Sequence, residues 1–284
     1  MRLIRKWSWF HAFTFAGLAA LSAFMLLPIV YIFNHAFKPY HELFLFPPTI
    51  LVREPTLGNF AELFSVAEDV FVPVTRYVFN TAVVTLAAMA LMIATSALCA
   101  YPLSKHKFPG KDLILSAVVV SLLFVSEVLA IPRYMVMHEL GLMNTYWGHV
   151  LPLVALPVGV FLLKQFMDQV PDELLQAAKI DGAGEWTTFA RIVVPAVSPA
   201  VFTVGILAFQ TVWNNVETSN LFMQEESMKT LAFYLNSLTS QLYNTVARQG
   251  AAAAGTLVLF VPQLVVFLFF QHKVIATMAH SGIK

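Results

Sequence analysis

The chain is short of what covalent chemistry or a disulfide scaffold requires. Its 284 residues include one cysteine, Cys99, so no intrachain disulfide framework exists. Set in an apolar run, that thiol is expected to be buried and inert. Charged residues make up 12% of the chain, against about a quarter in an ordinary soluble domain. The net charge is +1 and the basic tract Lys105-His106-Lys107 is short, which leaves no electrostatic footprint for nucleic acid. A Gly-x-x-x-x-Gly-Lys-Ser/Thr loop is missing: Gly110-Lys111 has neither the upstream glycine nor the following hydroxyl, so the chain has no P-loop of its own for ATP. His138-Glu139 has no second histidine at zinc spacing, and there is no Gly-x-Ser-x-Gly and no Cys/His pair on one loop. No catalytic residue and no metal ligand set can be named.

What is abundant is apolar surface. At 58% hydrophobic residues and a mean hydropathy of +0.73, one soluble core cannot bury it, and the solvent is expected to be lipid. Six hydrophobic segments lie near the ~20 residues a bilayer requires: roughly 11–37, 73–102, 113–134, 146–164, 196–222 and 251–272. The expected fold is an all-α polytopic membrane protein. Arg2, Arg5 and Lys6 before the first run resemble a signal peptide, but the run continues to Val30, which points to an uncleaved first span. Eleven of the seventeen Lys and Arg fall on one side if the N-terminus, the turn at Lys105 and Lys107, the 165–195 loop and the C-terminal tail share it. That side is then the cytoplasm. Trp7, Trp9, Tyr146 and Trp147 suit interfacial anchors.

One stretch does not belong in lipid. From Pro171 the sequence reads Asp172-Glu173-Leu174-Leu175-Gln176-Ala177-Ala178-Lys179-Ile180-Asp181-Gly182-Ala183-Gly184. Pro171 suits a first helical position, and the two acids complement the positive helix end. Gly182 or Gly184 can end the helix. A second short helix is expected to place Trp186, Phe189 and Val193 on one face until Pro195 breaks it. Helices of about ten residues are not stable alone in water, so these need something to pack against.

Gln176-Ala177-Ala178, Asp181-Gly182-Ala183 and Ile192-Val193-Val194-Pro195 together resemble the "EAA" loop of permease subunits of bacterial binding-protein-dependent ABC importers. Asn144-Thr145-Tyr146, Phe108-Pro109-Gly110-Lys111, Trp213-Asn214-Asn215 and the end from Gln271 to Lys284 are similar to the carbohydrate branch, the MalG-like permeases. The resemblance covers about residue 75 to the C-terminus; the first ~70 residues agree only in pattern. It implies a first span with an extracytoplasmic loop (1–72), a permease core (73–272) with its coupling loop at 165–195, and a cytoplasmic tail (273–284). The implied assembly has a second permease, two cytoplasmic ATPases that hold ATP and Mg, and an extracytoplasmic solute-binding protein, all in a bacterial inner membrane. Gln176, Ala177, Ala178, Asp181 and Gly182 would then dock on the ATPase, and Ser281, Gly282, Ile283 and Lys284 would reach it as a tail. Where the family has Glu, this chain has Gln176, which exchanges a charge-assisted hydrogen bond for a neutral one.

Two carboxylates lie within apolar sequence, Glu127 and Glu217. Intramembrane acids usually face a polar cavity or a partner. Trp213, Asn214 and Glu217 carry the chemistry that binds sugars, and a helix through 213–217 would put Trp213, Val216 and Glu217 on one face. The stretch from Glu225 to Gly250, with Tyr234, Asn236, Gln241 and Asn244, is expected outside the membrane, either to meet the binding protein or to serve as a linker. Two rivals remain: a proton-driven secondary transporter using Glu127 and Glu217, which should show internal repeats with broken helices, and a membrane scaffold without substrate. An importer of a non-sugar solute is a further alternative.

Overall fold

A computed structural model of the chain describes residues 9–281, apart from 44, 46–48, 50, 69–71 and 243–248. Gly282, Ile283, Lys284, Asn244 and Trp7 lie outside the described residues. Every regular element among those described is helical. The main helices are α1 (Trp9–Phe37), α2 (Gly58–Glu68), α3 (Val74–Lys105), α4 (Lys111–Ser121), α5 (Ala130–Glu139), α6 (Tyr146–Val150), α7 (Pro157–Met167), α8 (Asp172–Ile180), α9 (Glu185–Thr188), α10 (Ser198–Trp213), α11 (Glu217–Phe222), α12 (Leu231–Leu242) and α13 (Gln249–Ser281).

Three helices are long and apolar enough to cross a bilayer unbroken: Trp9–Phe37, Val74–Lys105 and Gln249–Gln271. Three further candidates are bent pairs: Lys111–Ser121 with Ser126–Glu139 at 107°, Tyr146–Leu153 with Pro157–Met167 at 48°, and Glu185–Ala196 with Ser198–Trp213 at 82°. The expected 113–134, 146–164 and 196–222 segments are therefore not single helices: the middle one breaks between Leu153 and Pro157. Of the outer two, the first breaks after Ser121, and a one-turn helix at Ser126–Leu129 restarts it. The second ends at Trp213, where Asn214 takes the C-cap position with φ −89° and ψ 1°.

The chain divides into two compact units. The first comprises residues 1–70 and 237–258. There the C-terminal end of α1 is tied by side chains that satisfy turn backbone. Asn34 accepts from Val52 N–H at 3.0 Å, buried Glu42 accepts from the N–H groups of Arg53 and Glu54, and Asn59 donates to the carbonyls of Ala36 and Lys38 at 2.9 and 2.8 Å. Lys38 reaches the carbonyl of Thr49. Gly250 lies against Asn59 so closely that a Cβ would stand 2.5 Å from Oδ1.

The second unit comprises residues 71–236 and 259–284. Its core is α3 packed on α7 and α10, through Val84, Ala88, Met92, Ala97, Ala100, Leu163, Ala200, Val204 and Ala208. Small residues dominate because helices in lipid gain from close packing rather than from expelling water. At the crossing, a Cβ on Gly159 would stand 2.7 Å from Ser96 Oγ and 3.1 Å from Val204 Cγ1. Cys99 is exposed, contrary to the expected buried thiol, because it lies on the face of α3 turned away from Ala97 and Ala100.

Candidate functional site

The 165–195 loop folds as the sequence suggests, with two corrections. Helix α8 begins at Asp172, and Pro171 is its N-cap with φ −60° and ψ 135°. Pro195 does not break the second helix. α9 passes into a π-helical turn at Phe189–Val193, continues through Val194–Ala196, and breaks at Val197 (φ −99°, ψ 19°). The wider turn bonds Val194 N–H to Phe189 C=O, which lets the ring of Pro195 enter the helix one residue before its end at Ala196. Gly182 closes α8 in a left-handed conformation, φ +81°. Its N–H donates to Lys179 C=O at 3.1 Å and Ala183 N–H to Ala178 C=O at 2.9 Å, the paired bonds of a Schellman ending.

The loop presents two faces. Ala178 is buried against its own chain and Leu175 packs on the core, while Gln176, Ala177, Asp181 and Gly182 are exposed. So are the apolar Leu174, Ile180 (87% exposed) and Trp186 (68%). Phe189 and Val193 turn inward, so Trp186 does not share their burial.

Both feet of the loop are held by the end of α3, through Tyr101, Ser104 and Lys105. At the entry, Lys105 Nζ donates to Val170 C=O at 2.5 Å and to Asp172 Oδ1 at 2.8 Å. Ser104 Oγ donates to Asp168 at 2.8 Å, and Lys164 pairs with the same carboxylate at 2.7 Å. Lys105 was read as part of a solvated basic turn, yet its side chain is 5% exposed. Hydrogen bonding and charge from Lys105 hold the Asp172 carboxyl below the usual carboxylate range. Asp172 is thus ionised at neutral pH, and the pair is lost only as pH falls through that lowered value. At the exit, Tyr101 OH donates to Glu185 Oε2 at 3.0 Å. His106 Nε2 lies 3.4 Å from the same oxygen, and Lys179 pairs with the other at 3.1 Å. A polar cavity of about 320 Å³ opens at the entry foot, lined by Lys105, Lys107, Lys111, Asp168, Gln169 and Asp172 among others.

At the opposite end of α3 a second polar cluster gathers segment 223–231. Tyr77 OH donates to Glu226 at 3.0 Å, and Asn80 Nδ2 donates to the carbonyls of Ser227 and Lys229 at 2.8 and 2.9 Å. Tyr146 OH donates to Asn80 Oδ1 at 2.8 Å, and Thr81 Oγ1 accepts from Leu231 N–H at 2.8 Å. Fully buried His149 bridges Thr218 Oγ1 and Met228 C=O, both at 2.9 Å. Asn144, at φ 55°, accepts from Gln224 and Glu225 N–H at 2.7 and 3.1 Å.

The Trp213–Glu217 cluster is not one helical face, because the helix ends within it. The Trp213 indole donates to Leu259 C=O at 3.1 Å, and Asn214 Oδ1 accepts from Gln263 at 2.6 Å. Both turn toward α13. Asn215, one residue before the N-cap Val216, accepts from Thr218 N–H at 2.9 Å and so satisfies one free donor of the first turn of α11. Glu217 turns the other way, to Arg133 of α5, at 2.9 Å and half-buried. Glu127 stands exposed in the one-turn helix at Ser126–Leu129, so the structure does not bring the two acids together. Arg133, a cation inside an apolar segment, is the signal that pointed to a partner for Glu217.

Binding-protein-dependent transport system inner membrane components match this chain over residues 56–274. It is 29% identical, over 98% of its length and 96% of the relative's, to the arabinooligosaccharides transport system permease protein AraQ of Halalkalibacterium halodurans. It is 31% identical, over 91% and 89%, to the sulfoquinovosyl glycerol transport system permease protein SmoH of Agrobacterium fabrum. In fold it is similar to a chain of a bacterial ABC transporter involved in the import of the acidic polysaccharide alginate. The TM-score there is 0.75 at 18% identity, covering 94% of this chain and 98% of that one. Helical architecture, apolar spans and a match across most of the length agree: the chain belongs to the binding-protein-dependent transport system inner membrane component family, and is a permease subunit of an ABC importer.

Proposed function

We propose that this permease carries a carbohydrate, an oligosaccharide or glycoside, by alternating access. It works with a second permease, two ATPases and an extracytoplasmic solute-binding protein. The observation that carries the reading is the 168–188 loop: α8 lies outside the candidate spans, α9 opens the third bent pair at 82° to α10, both feet are tied down, and Leu174, Ile180 and Trp186 turn outward. Apolar side chains on so short a helix need a protein partner, and an ATPase groove supplies one. Gln176, Ala177, Asp181 and Gly182 form the docking surface, with Ala178 seating the helix beneath it. The sugar assignment rests on the relatives, whose names specify arabinooligosaccharides and sulfoquinovosyl glycerol.

In this reading the bent pairs make six spans in all, both termini lie in the cytoplasm, and Ser281–Lys284 form the ATPase-facing tail. Residues 1–72, 73–272 and 273–284 are first span with loop, core and tail. Trp213, Asn214, Glu217 and Glu127 are the pathway candidates, and Glu217 acts together with Arg133. Glu217 is paired with Arg133 and Glu127 stands exposed without contact to it, so the two acids form no relay, which disfavours the ion-coupled alternative despite its shared broken helices.

The test is uptake of labelled oligosaccharides by vesicles holding the complete complex and its binding protein. Saturable sugar uptake that requires ATP is expected. Uptake driven by a proton gradient without ATP would sink the importer mechanism, and ATP-driven uptake of amino acids or peptides alone would sink the carbohydrate assignment.

A further inference from the structure

Coupling in an importer has to cross the bilayer, and the two polar clusters stand at opposite ends of one helix. α3 runs 32 residues without a break, about 48 Å at 1.5 Å per residue. Within residues 71–236, the other candidate spans are bent by 107°, 48° and 82°. Tyr101, Ser104 and Lys105 grip both feet of the 168–185 loop at one end. Tyr77, Asn80 and Thr81 grip the 226–231 segment at the other.

The loop's own chain connections are compliant by comparison. On the exit side it reaches α10 through a π-helical turn and the bend at Val197, both features that absorb rotation. On the entry side Asp168–Pro171 has no regular helix. A push on α8 is therefore delivered sideways, through charge-assisted hydrogen bonds to a side chain almost wholly buried, rather than along the chain. Pro102 is the one proline in α3, and Tyr101 and Lys105 hold the helix on either side of it.

Resting on the importer reading above, we propose that α3 is the rod that carries the stroke between the ATPase-facing loop and the 226–231 segment. Lys105 and Tyr101 are its inner positioning residues, and Asn80 and Tyr77 its outer ones. Because coupling is reciprocal, the same rod carries the state of the outer segment back to the loop.

Two measurements test this on the assembled complex. The first is sugar taken up per ATP hydrolysed. Lys105→Met, similar in length but uncharged, should lower this ratio at least fivefold, whereas Lys105→Arg, which keeps charge and donors, should stay within twofold of the parent. Tyr101→Phe removes one hydroxyl at the other foot and should lower the ratio two- to threefold; it serves if Lys105→Met assembles poorly. Asn80→Ala should act on the same path, so its combination with Lys105→Met should be no worse than the poorer single variant. The second measurement needs no substrate. With Cys99→Ser and Gln224→Cys, the rate of modification by a water-soluble thiol reagent should change on adding nucleotide, and that change should vanish with K105M. Parental ratios in both Lys105→Met and Tyr101→Phe, multiplying rather than saturating effects in the double variant, or a nucleotide response that survives K105M would each overturn the rod. A parent complex with no ATP-dependent sugar uptake but an intact nucleotide response would instead count against the carbohydrate assignment.

Discussion

At Gly182 nothing lies within 4 Å of where a Cβ would stand, yet φ is +81°. The constraint on a side chain here is the backbone rather than a clash, since left-handed geometry costs an L-residue about 1–2 kcal/mol and a β-branched one more. Asparagine tolerates that region, so Gly182→Asn should retain most uptake, while Gly182→Val should lose most of it with the chain still inserted. A bulky residue tolerated as well as asparagine would show that the turn is free to reshape. The Arg133–Glu217 pair makes a different demand. Removing one partner of a half-buried pair leaves the other unmatched, at a cost between the roughly 1 kcal/mol of exposed pairs and the roughly 3–5 kcal/mol of buried ones. Thermal melting of the purified complex should thus fall for Glu217→Ala and recover in part with Arg133→Ala added; no recovery would mean that the two residues act separately.

Packing of α3 on α7 decides what the elements tolerate. Ser96 Oγ is buried without a hydrogen-bond partner and stands 2.7 Å from where a Gly159 Cβ would be. Gly159→Ala should destabilise by roughly 1–3 kcal/mol through overpacking, and Ser96→Ala should relieve part of that without forfeiting a bond. Melting temperature and yield of the purified chain would read both, and an unaffected Gly159→Ala would mean that the helices can separate at little cost. Helices of this kind were legible in the sequence because long apolar runs admit few alternatives in lipid. Their breaks were not. Hydropathy continues through Ser121–Ser126, while the polar Trp213–Glu217 stretch reads equally as the lining face of a continuing helix or as its end, and only the backbone shows that the helix has stopped. Likewise the loop was legible from its prolines, glycines and acids, whereas its clamp was not. Lys105 and Asp172 lie 67 residues apart and Tyr101 and Glu185 84, and a basic turn reads the same whether solvated or docked. Pro195 misled for a local reason, since a π turn before it removes the conflict that normally stops a helix.

For the molecule as a whole, orientation is the consequence open to direct test. If the charge bias sets topology, the α8–α9 turn and the 223–231 segment face opposite compartments. In a Cys99→Ser background, Gly184→Cys should react with an impermeant thiol reagent only in inside-out vesicles, and Glu225→Cys only in right-side-out ones. Labelling of both from one side would invalidate the proposed topology and the rod together. Helix α1 carries a consequence of another kind. None of its apolar window is buried, and Asn34 and Ala36, its buried residues, sit near its end. Over most of its length, then, nothing in this chain distinguishes leucine from phenylalanine or valine there, and apolarity with sufficient length is all that is asked of it. Such a segment is free to drift through substitutions that a packed helix would reject.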